Sequence, residues 1–281
     1  MKKIYVNLKR FDVPRSFDGV NGIADIQDWG SYILKNVKDG IKKYGHKAEF
    51  TFFMPEMHIL SALKETAGEE QPEIGCQGVG RTDVKKGANF GALTTSLPAA
   101  AAKAAGCSQV LIGHCEERQQ LSQVLAEAGV TDSAAVNRLL NKEVQAAIGQ
   151  DMKVLYCIGE KESELENWQE VLEEQLTIGL CDVDTSKVVI AYEPIWSIGP
   201  GKTPAGKEYI EKIASFVKEK VAGIQVVYGG GLKKENAEML ASVSSIDGGL
   251  IALTRFQGEI GFYPEEYLEI VDLYLGGEGK S

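Results

Sequence analysis

The chain has 281 residues, 44% of them hydrophobic and 25% charged, with a formal net charge of −10. That is ordinary globular composition, with no apolar run long enough to span a bilayer, so a membrane role is not expected. The acidic balance disfavours nucleic acid as a partner, and any anionic substrate would need a local exception to that field. The basic start MKKIYVNLKR leads into short apolar stretches without a small-residue cleavage site, so it does not read as a signal peptide and a cytoplasmic location is expected. Five scattered cysteines (Cys76, Cys107, Cys115, Cys157, Cys181), none in a C-x-x-C pair, argue against a disulfide framework and a zinc site.

In chain order, β-branched or aromatic runs alternate with helical segments. Strands are predicted at 3–8 (KIYVNL), 48–54 (AEFTFFM), 73–77 (EIGCQ), 108–113 (SQVLIG), 152–159 (MKVLYCIG), 187–193 (KVVIAYE), 224–230 (IQVVYGG) and 248–253 (GGLIAL). Several are almost continuously apolar, as strands covered on both faces should be. Between them lie good helix formers such as LPAAAAKAAG, AVNRLLNKEVQAAIG, ELENWQEVLEEQL and KEYIEKIASFVKEKV. Eight strands alternating with helices over this length predict a closed α/β barrel, a (β/α)₈ TIM barrel, as one domain over 1–281, with a doubly wound open sheet as the alternative. In either fold the chemistry gathers at the C-terminal ends of the strands.

At those ends polar residues interrupt the apolar runs: Asn7 and Lys9 after the first, His114 in GHCEER after the fourth, Glu193 after the sixth, and YGGG after the seventh. A carboxylate, an imidazole and an ammonium converging on one mouth suit proton transfer next to a carbonyl, with the carboxylate removing the proton while the other two polarise the oxygen. His46 and His58 follow turn or proline signals and are expected at the surface.

The motifs NLK (7–9), IGHCEER (112–118), CIGE (157–160), AYEPIWSIGPGKT (191–203), YGG (228–230) and DGGL (247–250), taken in this order, resemble the triosephosphate isomerase family. The resemblance implies a (β/α)₈ barrel that interconverts dihydroxyacetone phosphate and D-glyceraldehyde 3-phosphate through an enediol(ate), needs neither cofactor nor metal, and works as a homodimer. By the same resemblance Glu193 is the general base, His114 the neutral electrophile, and Lys9, with Asn7 beside it, the positive charge for the enediolate and phosphate. Glu116 and Cys115 flank that centre. The segment 194–204 is similar to a closing lid, hinged at PIW (Pro194 to Trp196) and at KTP (202–204) and latched by Tyr228. Phosphate would meet Gly199, Gly201, Gly230 and Gly231. A lid has a physical purpose, because water exclusion suppresses loss of phosphate from an exposed enediolate.

The sequence also departs from the family. Ala252-Leu253 stands where a Gly-Gly pair offers its amides, and Gly231 where a serine is usual, while Arg255 just beyond could bind phosphate from a shifted position. Pro200 replaces a common lid threonine and removes an N–H. The segment RFDVPRSFDGVNGIADIQDWG after the first strand is longer than usual and brings Arg10 and Arg15 toward the same rim. GANFGAL (87–93) alters the loop through which family subunits meet. Cys115 stands where a serine is usual, and a thiol is a weaker partner for the waiting base. These changes admit two alternatives: an isomerase of a related ketose phosphate such as a tetrulose phosphate, or a sugar-phosphate-binding barrel without turnover.

Overall fold

The computed structural model describes residues 1–132, 134–198 and 202–276. Eight parallel strands close into one barrel in sequence order: β1 (Lys2–Asn7), β2 (Ala48–Met54), β3 (Glu73–Cys76), β4 (Gln109–Ile112), β5 (Lys153–Ile158), β6 (Val188–Tyr192), β7 (Gln225–Tyr228) and β8 (Gly248–Ile251), with β8 pairing back onto β1. All eight predicted strands are present, each within one or two residues of its expected ends. The open sheet is thereby excluded.

Around them lie α1 (Trp29–Ile41), α2 (Ile59–Glu65), α3 (Ala99–Ala105), α4 (Cys115–Glu127), α5 (Ala134–Gly149), α6 (Trp168–Gly179), α7 (Lys207–Lys220), α8 (Ala237–Ala241) and α9 (Pro264–Gly276). Near-continuous apolar strands make sense here because each strand buries both faces. One face points into the barrel, where Tyr5, Phe53, Leu111, Leu155, Cys157, Ala191, Val227 and Leu250 form a closed inner cluster. The other face, with Ile4, Val6, Phe50, Phe52, Ile112 and Ile190 among its residues, packs on the helices.

Strand side chains alternate with a period of two, which fixes the layer above the inner cluster. Two residues beyond inward Tyr5 comes Asn7, beyond Cys157 comes Gly159, beyond Ala191 comes Glu193, and beyond Val227 comes Gly229. The barrel floor therefore aims Glu193 at the mouth before any loop is considered.

The long β1–α1 connection is folded rather than loose. Asp12 is fully buried and accepts from Arg10 through Nε (3.1 Å) and Nη2 (2.7 Å). Asn21, also buried, ties Asp12 and Ala24 together through their carbonyls. One expectation fails here: His58 is 2% exposed, with Nε2 3.2 Å from Asp12 Oδ2, and its ring packs against Trp29. The turn signal before it marks a short 3₁₀ turn, Glu56–His58, that the connection covers. His46 is exposed as expected.

Candidate active site

Glu193 is 2% exposed at the end of β6. Its Oε2 accepts the Cys115 backbone N–H at 2.9 Å, and Oε1 lies 3.3 Å from His114 Nε2 without hydrogen-bond alignment. The neighbouring strands leave room for it only because they end in glycine. A Cβ on Gly159 would overlap the Glu193 carbonyl oxygen, and one on Gly229 would come within 2.7 Å of Glu193 Cγ. Gly159 of CIGE and Gly229 of YGG thus give clearance to the backbone and the side-chain stem of Glu193.

His114 is the N-cap of α4, and its Nδ1 accepts the Glu116 N–H at 3.3 Å. A backbone amide can only donate, so in neutral His114 the ring proton sits on Nε2, on the side of the carboxylate. Gly113, at φ 80°, makes the turn between β4 and this cap, and Glu117 and Arg118 brace it. The Gly113 N–H donates to Glu117 at 2.6 Å, while Arg118 Nε donates to the Gly113 carbonyl at 2.8 Å.

Lys9 holds a left-handed backbone (φ 42°), which a non-glycine residue keeps only where its surroundings impose it. Its N–H donates to Asn7 Oδ1 at 3.0 Å, and Gln77 Nε2 donates to its carbonyl at 3.0 Å. Its ammonium donates to Glu116 Oε1 at 2.6 Å. Burial pushes the Glu116 carboxyl up, but the bond to Lys9, the Lys9 charge and His114 together outweigh it and leave that carboxyl below its ordinary range. Lys9, Asn7 and His114 share the wall of a cavity of about 470 Å³ with Arg10, Phe11 and Val20 of the β1–α1 connection.

Cys115 acts on the base through its backbone amide, not its thiol. Burial, and then the Glu193 charge, push the thiol up to about 12, so it stays protonated. One ligand atom each from His114, Cys115 and Glu193 lies within 4.8 Å of the others. A cation there would have to displace the thiol proton together with either the Nε2 proton or the Glu116 N–H that Nδ1 accepts.

The lid hinge is anchored on Glu160, a residue of CIGE to which the sequence reading gave no role. It is fully buried and accepts Tyr192 Oη at 2.8 Å, Trp196 Nε1 at 2.8 Å and Tyr209 Oη at 3.1 Å. Tyr228, 1% exposed, faces the Ser197 side chain and the Ala205 backbone, which lie at the two ends of the lid segment. Pro194 packs on the β7 side, within 3.0 Å of where a Gly230 Cβ would be. Gly199, Pro200 and Gly201 lie outside the described residues.

The phosphate end differs most from expectation. Ala252 and Leu253 leave β8 as predicted, but the chain then makes an excursion closed by an antiparallel bridge between Arg255 and Gly261. The Arg255 guanidinium turns onto Glu266, with Nε to Oε1 at 2.7 Å, and stacks 3.7 Å over the Tyr263 ring. Arg15 reaches across to the same excursion, donating to Glu259 Oε1 at 2.7 Å and to Tyr263 Oη at 3.0 Å. Both arginines are held by carboxylates, not by an open anion site. Gln77, Glu160 and Arg118 were missed by the sequence reading. Gln77 and Glu160 each stand just past an apolar run and Arg118 stands within IGHCEER, with no indication of what any of them would bond.

A family model described as triosephosphate isomerase matches residues 28–270. The chain belongs to the triosephosphate isomerase family. That match begins after the β1–α1 connection, so β1 with Asn7 and Lys9 falls outside it. A triosephosphate isomerase of Chloroherpeton thalassium is 33% identical over 195 residues, 64% of this chain and 70% of that protein. One of Geobacter metallireducens is 37% identical over 174 residues, 57% of this chain and 64% of that protein. The aligned stretches thus cover about two thirds of these relatives' lengths. A solved structure of triosephosphate isomerase from Bartonella henselae superposes with a TM-score of 0.72 at 25% identity, covering 97% of this chain and 98% of that one. Among the described residues, no helix is long and apolar enough to cross a membrane.

Proposed function

We propose that this chain interconverts dihydroxyacetone phosphate and D-glyceraldehyde 3-phosphate by proton transfer through an enediolate. The observation that carries this reading is the buried Glu193 carboxylate facing the Nε2 edge of His114 at 3.3 Å, with Lys9 held on the same mouth. Glu193, freed from the Cys115 N–H, takes a proton from the carbon beside the carbonyl and returns it to the neighbouring carbon. His114 Nε2–H polarises the carbonyl oxygen, and the Lys9 ammonium, leaving Glu116, stabilises the oxyanion as charge develops. Closure of the segment on Trp196 and Tyr228 excludes water from that intermediate. No step calls for a cofactor or metal.

Within this reading the protein is a cytoplasmic homodimer. The loop after β3 supports association, since Phe90 near its tip is 81% exposed. One observation favours a longer substrate, such as a tetrulose phosphate: the cavity beside Lys9 and His114 is lined partly by the enlarged β1–α1 connection. A coupled assay of purified protein on dihydroxyacetone phosphate, glyceraldehyde 3-phosphate and tetrulose phosphates separates the two. Triose turnover is the expected result. Conversion of a tetrulose phosphate alone would move the assignment to the longer ketose, and phosphate binding without turnover of any of them would leave a binding protein.

A further inference from the structure

The cations around the mouth divide by whether they already have a counter-charge. Lys9 is on Glu116, Arg10 on Asp12, Arg15 on Glu259, Lys202 on Glu162 and Arg255 on Glu266. Lys233, in the turn between β7 and α8, differs. Among the described residues its ammonium meets no carboxylate within 4.0 Å, and it lies 4.2 Å over the ring of Phe256 in the β8–α9 excursion. The side chain is partly buried, and taking an ammonium out of water without a counter-anion is costly. A cation–π contact offsets only part of that cost.

Its position relative to the base fits a phosphate. Gly229 packs on Glu193, and Gly231 follows two residues later, at most about 7 Å along the chain. That is comparable to the span between the reacting carbons and the phosphorus of a small sugar phosphate. At Gly231 the backbone has φ 97°, and a Cβ there would come within 3.2 Å of Lys233 Cε. The absence of a side chain at 231 therefore leaves the path along which the lysine stem lies. The turn itself is fixed, because Asn236 accepts the Lys233 N–H at 2.8 Å and donates to the Gly231 carbonyl at 2.9 Å.

We propose that the Lys233 ammonium, lying across Gly231, is the cation that receives the substrate's phosphate. The assignment rests on the sugar-phosphate reading above and identifies how that site holds its anion without the hydroxyl at 231 or the glycine pair after β8. Phosphate would supply the missing counter-charge while Phe256 shields one side of the ammonium. Burial already lowers the Lys233 amine below the ordinary lysine range, with Glu235 pulling the other way, as expected of a cation whose strong partner is absent. Arg255 and Arg15 would each have to give up a carboxylate to do the same work, and Lys233 would not.

The test uses the full chain with inorganic phosphate as probe, together with the steady-state assay. Lys233→Met keeps the apolar stem over Gly231 and removes the charge, and Lys233→Arg restores a charge. Lys233→Met is expected to raise the phosphate inhibition constant and KM by about 10- to 150-fold, the loss of a charged hydrogen bond, with kcat falling less. Lys233→Arg should recover a large part, while Arg255→Ala should move the phosphate constant less than Lys233→Met does. Should Lys233→Met not fold, wild-type protein gives the answer by mass spectrometry: inorganic phosphate is expected to protect Lys233, and not exposed Lys234, from acetylation. A phosphate constant unchanged within about twofold in Lys233→Met, or equal acetylation with and without phosphate, rejects the assignment. If the wild type turns over no sugar phosphate yet binds phosphate through Lys233, the isomerase reading fails and this one stands.

Discussion

Glu193 and Lys233 stand at the same end of one barrel, Lys233 four residues beyond the Gly229 that packs on Glu193, yet different kinds of structure hold them. Backbone fixes the carboxylate's place: strand alternation aims it, Gly159 and Gly229 leave it space, and the Cys115 N–H receives it. On the other side, around β1, β7 and β8, side-chain pairs do the work, with Arg15 on Glu259, Arg255 on Glu266 and Lys233 over Phe256. A backbone-built site tolerates little change, since any added Cβ collides. A site built from long side chains can be rearranged residue by residue. The acid–base half keeps the family's motifs, and the anion half departs from them, in keeping with this contrast.

The comparison can be broken at its rigid end first. Glu193→Gln, which keeps shape and removes the base, is expected to lower kcat/KM by on the order of 10²–10⁴-fold, read in the coupled assay. A loss under tenfold would mean that another group takes the proton. Gly159→Ala comes next, because its methyl must overlap the Glu193 carbonyl oxygen. It should cost about 1–3 kcal/mol in urea unfolding, and displacement of the base should lower kcat by at least about tenfold. Wild-type values in both measurements would contradict the clearance argument.

A third prediction concerns Glu143 on α5, which is 5% exposed and faces Glu117, the residue that receives the Gly113 N–H beside His114. Burial first, and then the Glu117 charge, raise its carboxyl to about 9, while Arg81 opposes the shift. The folded protein therefore holds a proton that the unfolded chain releases above its ordinary value of 4.5. Stability contributed by Glu143 should fall as pH rises from about 4.5 to about 9 and level off beyond. Relative to wild type, Glu143→Gln should gain on the order of 1 kcal/mol or more between pH 5 and pH 8, seen in urea midpoints. A constant difference across that range would place the Glu143 proton elsewhere. The smallest effect belongs to Cys115→Ser. Because the amide and not the thiol holds Glu193, kcat/KM should change by less than about 1 kcal/mol equivalent. A larger change would show that the thiol takes part.

Much of this was legible in the sequence. Apolar runs separated by helical segments gave eight strands near their observed positions, since strands buried on both faces leave a strong local pattern. Asn7, Lys9, His114 and Glu193 were readable as polar interruptions at strand ends. Side-chain pairing was not. Nothing in the sequence around His58 indicates that a connection more than forty residues upstream would bury it against Asp12, and nothing local to Arg255 indicates that Glu266 would take its charge.

The sequence by itself determined the eight strands, their alternation with helices and the polar residues at the strand ends, because these follow from periodicity and from residue types that act over a few positions. Closure of the strands into a barrel rests instead on β8 pairing back onto β1. Only the tertiary structure decided which of the cations around the mouth, among the described residues, meets no carboxylate. Lys9, Arg10, Arg15, Lys233 and Arg255 are alike as sequence letters, and long side chains choose their partners by proximity across elements. Four of them meet a carboxylate in space and Lys233 meets a ring, a difference that depends on how the β1 and β8 loops fold over one another.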